Sequence, residues 1–149
     1  MRLDIRLSSL YNKFRRGHWA AIMFSHITLG TNDWEKAERF WKAVAVALGL
    51  PLLFEHSQGA AYGEMTGPKV FIGPAFNGQA ATNGNGTHVA FLAKNRAIVD
   101  AFYKAALENG GSDEGPPGLR PHYHANYYGA YVRDPDGNKL QAVCHSSKG

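Results

Sequence analysis

The chain has 149 residues, 44% of them hydrophobic and 19% charged, which suits one soluble globular domain with a real core and is too short for two ordinary ones. Its formal net charge of +4 sits entirely in residues 1–22, where Arg2, Arg6, Lys13, Arg15 and Arg16 face a single acid, Asp4; residues 23–149 carry 11 basic and 11 acidic side chains and are neutral. A folded body without charge excess argues against a nucleic-acid partner; the lone cysteine, Cys144, rules out an intramolecular disulfide and fits a reducing, cytoplasmic setting; and no apolar run approaches the roughly 18 residues of a membrane span.

Residues 1–22 lack the compact apolar stretch of a signal peptide. They read as a basic, loosely packed extension ahead of a domain that starts at Met23, with an Arg-rich transit segment or an amphipathic surface helix as the alternative. Residues 24–30 are apolar with β-branched Ile27 and Thr28 and read as a strand. Asn32, followed three residues later by Glu35, has the form of a capping box. Trp34, Ala37, Phe40, Trp41, Val44 and Leu48 then recur with the period of an amphipathic helix, which Gly49 stops and Pro51 prevents from continuing. Residues 51–56, 60–66 and 69–76 read as three strands broken by Gly59 and by Gly67-Pro68, and the Gly/Asn/Ala-rich stretch that follows, residues 77–86, as a linker.

The plan then repeats. Residues 87–93 form a strand, Asn95 caps a helix with an apolar stripe at Ile98, Val99, Ala101, Phe102, Ala105 and Ala106, and Asn109-Gly110-Gly111 ends it. Residues 112–114 begin a short strand before a Pro-rich loop over 115–125. Residues 127–133 and 138–144 are strands joined by Asp134-Pro135-Asp136-Gly137, a tight-turn signal. At an offset of 62 residues His26 falls on His88, Phe40-Trp41-Lys42-Ala43 on Phe102-Tyr103-Lys104-Ala105 and Gly49 on Gly111, with no gap over 24 positions. Strand start, helix start, helix middle and helix stop match in one register, which marks a duplicated module: residues 23–76 and 87–145, within one domain over 23–149. The fold class is α+β, with helices on one face of curved sheets.

This repeated βαβββ plan, the opening Phe-Ser-His-Ile-Thr-Leu-Gly at 24–30, the central Thr-His-Val-Ala-Phe at 87–91 and the Tyr-Val-Arg-Asp-Pro-Asp-Gly-Asn-Lys-Leu at 131–140 resemble the vicinal-oxygen-chelate superfamily of glyoxalases, ring-cleaving dioxygenases and bleomycin-resistance proteins, over residues 23–145. The resemblance implies two modules whose sheets curl into a half-open barrel around a cavity. It also implies a small-molecule ligand, a homodimer and, in the enzymes, a divalent metal (Zn, Ni, Mn or Fe). Carried over by position, the metal ligands fall on His26, His88 and Gln141, and a fourth, a carboxylate in glyoxalases, near Ile72. Where the enzymes usually have Glu this chain has Gln141, and an amide carbonyl is a weaker partner for a divalent cation than a carboxylate.

His26 and His88 are structural equivalents at two strand openings, placed either to face a shared cavity or to be hydrogen-bonded core histidines. Gln141 lies between Leu140 and Ala142 and so points away from both, into the cavity if those two pack under the helices. In the loop 118–124, His122 and His124 have the spacing of a strand-borne metal pair but sit among prolines and glycine, which suits a lid. Arg120 could clamp a carboxylate or phosphate, or cap backbone carbonyls. Tyr123, Tyr127, Tyr128 and Tyr131 offer either an aromatic pocket wall or ordinary strand packing, with Tyr127 and Tyr131 on one strand face and Tyr128 on the other. The candidate substrate-binding set is Arg120, His122, Tyr123, Tyr128 and Tyr131; no catalytic residue is assigned. Two functions follow: a metal-dependent lyase or isomerase acting on a small 2-oxo compound, as in glyoxalase, or a metal-free small-molecule or antibiotic binder of the bleomycin-resistance type. Ring cleavage, which needs iron on two histidines and a carboxylate, is disfavoured by Gln141.

Overall fold

The computed structural model describes residues 23–147, so the basic segment 1–22 lies outside the described residues. In chain order the first module holds β1 (His26–Gly30), α1 (Trp34–Leu48), β2 (Leu52–His56), β3 (Gly59–Gly63) and β4 (Lys69–Gly73). The second holds β5 (Val89–Leu92), α2 (Arg96–Glu108), β6 (Ser112–Leu119), β7 (Tyr128–Arg133) and β8 (Lys139–Cys144). Each module is a four-stranded sheet of the same topology, β1-β4-β3-β2 and β5-β8-β7-β6, with its first and last strands parallel. The duplication read from the 62-residue offset is therefore present in the strand pairing itself.

Local signals explain most boundaries. Gly49 takes the left-handed conformation (φ 70°) and Leu50 N–H reaches back to Ala45 O at 2.8 Å, a glycine-terminated helix end. Asn95 caps α2, its Oδ1 accepting from Ile98 N–H at 3.0 Å. The first helix departs from expectation by one residue. Asp33, not Asn32, is its cap and accepts from Lys36 N–H at 3.2 Å. Asn32 is occupied elsewhere: its amide accepts from Ala81 N–H and donates to Ala81 O, tying the linker to the end of β1.

The stretch after residue 114 also differs from the expected loop. β6 runs on to Leu119 through Pro116 and Pro117, pairing with β7 as far as Leu119 opposite Tyr128, with register breaks between Asp113 and Gly118. The prolines are tolerated because β6 is an edge strand with bulges, where a missing N–H need not break a ladder.

Both helices lie against the same side of the two sheets and share one core. Phe40, Trp41, Val44, Val99, Phe102, Val132 and Leu140 are fully buried in it, and Trp41 meets Phe91 of the other module edge to face at 6.1 Å. Asn138 adds a polar tie, donating to Gly30 O across the modules at 3.0 Å and to the buried Asp134 carboxylate at 2.9 Å. Where α2 turns back into β6, a Cβ on Gly111 would stand 2.7 Å from the Phe40 ring and 2.8 Å from both Ala106 O and Arg133 O. Gly111→Ala is accordingly expected to destabilise the fold by about 1–3 kcal/mol through overpacking, read as a lower midpoint in urea with an unchanged slope.

The opposite faces of the sheets stay open, and the sheets do not close into a barrel. No helix among the described residues is long and apolar enough to cross a membrane.

Candidate functional site

Strand alternation sorts the side chains. In β8, Leu140 and Ala142 are buried in the helix-side core, so Gln141 belongs to the open face, as its neighbours require. Register places Gln141 between Ala90 on β5 and Tyr131 on β7, and the preceding row of that face holds Lys139 and Arg133 beside His88. His88 meets the Tyr131 ring at 6.2 Å, and the Lys139 ammonium stands 5.4 Å over the same ring. On the first sheet His26 occupies the equivalent row. It meets Phe71 edge to face at 5.3 Å, Phe71 meets Phe54 at 5.8 Å, and Phe54 stacks on His56. Each histidine is thus exposed on the open face of its own sheet, which disposes of the reading as core histidines.

The parallel pairing also corrects the fourth expected ligand position. Thr28 pairs with Phe71 as Ala90 pairs with Gln141, and Thr28 and Ala90 are equivalents. The counterpart of Gln141 is therefore Phe71. Ile72 is one residue out of phase and lies in the helix-side core, 3% exposed.

Gln141 itself is only 1% exposed. Its Nε2 donates to the Tyr127 hydroxyl at 2.7 Å, and Tyr127 packs on Tyr123 at 4.8 Å and on His124 at 5.4 Å. The segment after β6 folds over the far end of the face and seals the amide. His124 Nδ1 accepts from Asn126 N–H, so its Nε2 carries the proton shared with His145 Nδ1 at 2.8 Å. Burial, and then the neighbouring Tyr127 hydroxyl, push the Tyr131 phenol up to about 12, so it remains a neutral donor at physiological pH.

The remaining candidates divide. His122 and Tyr123 meet at 4.3 Å on this cover, their rings tilted by 47°. Arg120 turns its guanidinium back on its own strand, donating to Pro116 O at 2.8 Å and Leu119 O at 3.3 Å, and so acts as a carbonyl cap. Tyr128 lies on the helix side, where its hydroxyl donates to Asp100 at 2.8 Å and Arg96 stacks at 5.3 Å; it is not brought to the open face. Two residues of the face went unassigned from sequence, Arg133 and Lys139, and Tyr127, weighed as a pocket wall, was left out of the candidate set. Counting alternate residues outward from Gln141 and His88 along paired strands would have found the first two.

Among the described residues no three His, Cys, Asp or Glu side chains gather closely enough to hold a metal ion. The expected ligand positions on the two open faces offer two imidazoles and one sealed amide and no carboxylate, and the acid of the adjoining row, Glu114, is already paired with Arg133 and Lys139. That set fits a bare divalent cation poorly, since none of its members is an anionic oxygen.

Comparison with known proteins agrees with the geometry. The glyoxalase/bleomycin resistance protein/dioxygenase superfamily model matches residues 23–142. The chain belongs to that superfamily. A glyoxalase/bleomycin resistance protein from Albidiferax ferrireducens T118 is similar at 38% identity and TM-score 0.75, over 83% of this chain and 99% of that one. A glyoxalase-related enzyme from Fulvimarina pelagi shares the fold at 23% identity and TM-score 0.64, over 82% and 87%. So does a lactoylglutathione lyase from Agrobacterium tumefaciens, at 19% identity and TM-score 0.55, over 81% and 92%. No protein with a curated description matches the chain. Superfamily membership agrees with the duplicated modules and their matching sheets. Phe71 and Gln141 stand at equivalent places on the two open faces, and neither is a carboxylate.

Proposed function

We propose that this superfamily member binds a small molecule without metal, in a cavity that a second copy of the chain completes, as a cytoplasmic homodimer. The observation that carries the reading is the pair of open sheet faces: aromatic and histidine-lined, backed by a complete core, and holding no anionic donor at the two positions where a metal would need one. Phe54 is 46% exposed and Leu92 76% exposed on those faces, apolar area that a twofold partner would cover. Tyr123, Tyr127 and Tyr131 supply flat walls, and the Tyr131 hydroxyl and His88 supply directional contacts.

The equivalent histidines favour one other reading, a metal-dependent lyase or isomerase acting on a 2-oxo compound, with His26, His88 and Gln141 holding the ion. Metal content after reconstitution with zinc, nickel, manganese and iron(II) separates the two. Substoichiometric metal is expected. One ion per chain, lost in His88→Ala, would replace the binding reading with the enzymatic one. Sedimentation velocity tests the assembly: a dimer is expected for the full chain and a monomer for Leu92→Lys, with the monomer's fold intact. A wild-type monomer at micromolar concentration would leave the cavity without its second wall.

A further inference from the structure

We propose that the groove between the linker and the start of the second open face is a subsite for the carboxylate of a small organic acid. The groove has a volume of about 540 Å³ and is bounded by residues 83–87, His88, Arg133 and Lys139. It opens directly beside Tyr131 and Gln141, one strand row away, so a molecule anchored here would lie along the aromatic wall. The inference rests on the second open face being the ligand surface and adds to it the chemical class of the ligand.

Charge decides the class. Arg133 and Lys139 both reach Glu114: Arg133 Nε pairs with one carboxylate oxygen, and Lys139 Nζ lies 3.4 Å from the other. The Arg133 contact, followed by Lys139, holds the Glu114 carboxyl below its ordinary range, so it is ionised at neutral pH. Two cations against one anion leave a single uncompensated positive charge facing a half-enclosed groove, where it is screened less than on an open surface. Arg133 is largely committed, since it also donates to Gly137 O at 2.7 Å. Lys139 has the looser pairing, and its ammonium offers further donors. A monoanionic carboxylate neutralises this row, whereas a phosphate dianion would overshoot it. The linker contributes a turn closed by Thr87 N–H to Gly84 O at 3.2 Å, with Gly86 at φ 90°, which lets the backbone approach a ligand without a Cβ in the way. The first module lacks the device. Lys69, the counterpart of Lys139, donates to Gly67 O at 2.8 Å, and Gly63 stands where the second module has Arg133.

Amide chemical shifts of the full-length protein, titrated with pyruvate, methyl pyruvate and inorganic phosphate, test the proposal. Pyruvate is expected to shift the amides of Gly84, Gly86, Thr87 and His88 saturably, and methyl pyruvate to leave them unmoved. Lys139→Gln is expected to weaken pyruvate about tenfold, the scale of one charge-assisted contact. Glu114→Gln, which removes the competing carboxylate, is expected to tighten it. Equal response to acid and ester, or an unchanged affinity in both variants, would overturn the subsite. Phosphate binding more tightly than pyruvate would overturn the carboxylate assignment. A monomeric or metal-loaded protein would defeat the functional reading above while leaving these linker shifts in place, so the two failures are distinguishable.

Discussion

Trp41→Ala is expected to lower stability by about 3–5 kcal/mol and the thermal midpoint by roughly 10 °C or more. Trp41 is among the largest fully buried side chains and has neighbours in both modules, Phe40 at 5.7 Å on its own helix and Phe91 on β5 at 6.1 Å. Cutting it back opens a void in a close-packed core, so the loss includes dispersion contacts as well as transfer free energy. The void lies where the modules share their core, so both should melt together, and circular dichroism and tryptophan fluorescence of the remaining indoles should trace one transition. Two separated transitions, or a loss below about 1 kcal/mol, would mean that the modules are independently stable and that Trp41 does not join them.

The buried stripe of each helix was legible in the sequence because its apolar residues recur at helical spacing and match at one offset, whereas the merging of the two stripes into one core is seen only in the structure. The same offset put His26 and His88 on equivalent strands, and alternation along residues 140–142 put Gln141 on the open face. What escaped the sequence were features set by contacts distant along the chain. Asn32 has the chemistry of a helix cap, but the linker at Ala81 captures its amide and Asp33 takes the role. Pro116 and Pro117 read as loop, yet an edge position lets the strand run through them. Ile72 and Phe71 are adjacent, and only the parallel register with Thr28 decides which of them faces the cavity side. The cover that Tyr127 places over Gln141 depends on a fold-back spanning 14 residues, for which no local pattern exists. Arg120 was legible as a clamp or as a carbonyl cap, and its contacts with Pro116 and Leu119 favour the cap.

The identity of residue 141 should control whether this scaffold takes a metal at all. In Gln141→Glu the new carboxylate would stand in a site that is 1% exposed. Tyr127 could reverse its role and donate to it, but one hydroxyl does not replace the hydration of an anion. The metal-free variant is therefore expected to lose about 1–3 kcal/mol, and the loss should shrink at acid pH, where the carboxyl is neutral. Burial raises that carboxyl's folded pKa, so the penalty is absent below the unfolded value of about 4.3 and grows as pH rises toward the folded one. A divalent ion reverses the balance, because the carboxylate supplies the charge that His26, His88 and the amide lack. Zinc at a hundred times its dissociation constant would return about 2.7 kcal/mol. Melting curves with and without zinc are expected to coincide for the wild type and to separate for Gln141→Glu. Equal stabilisation of both proteins by zinc would show that the neutral amide already serves as a ligand, and the metal-dependent reading of the site would then stand in place of the metal-free one.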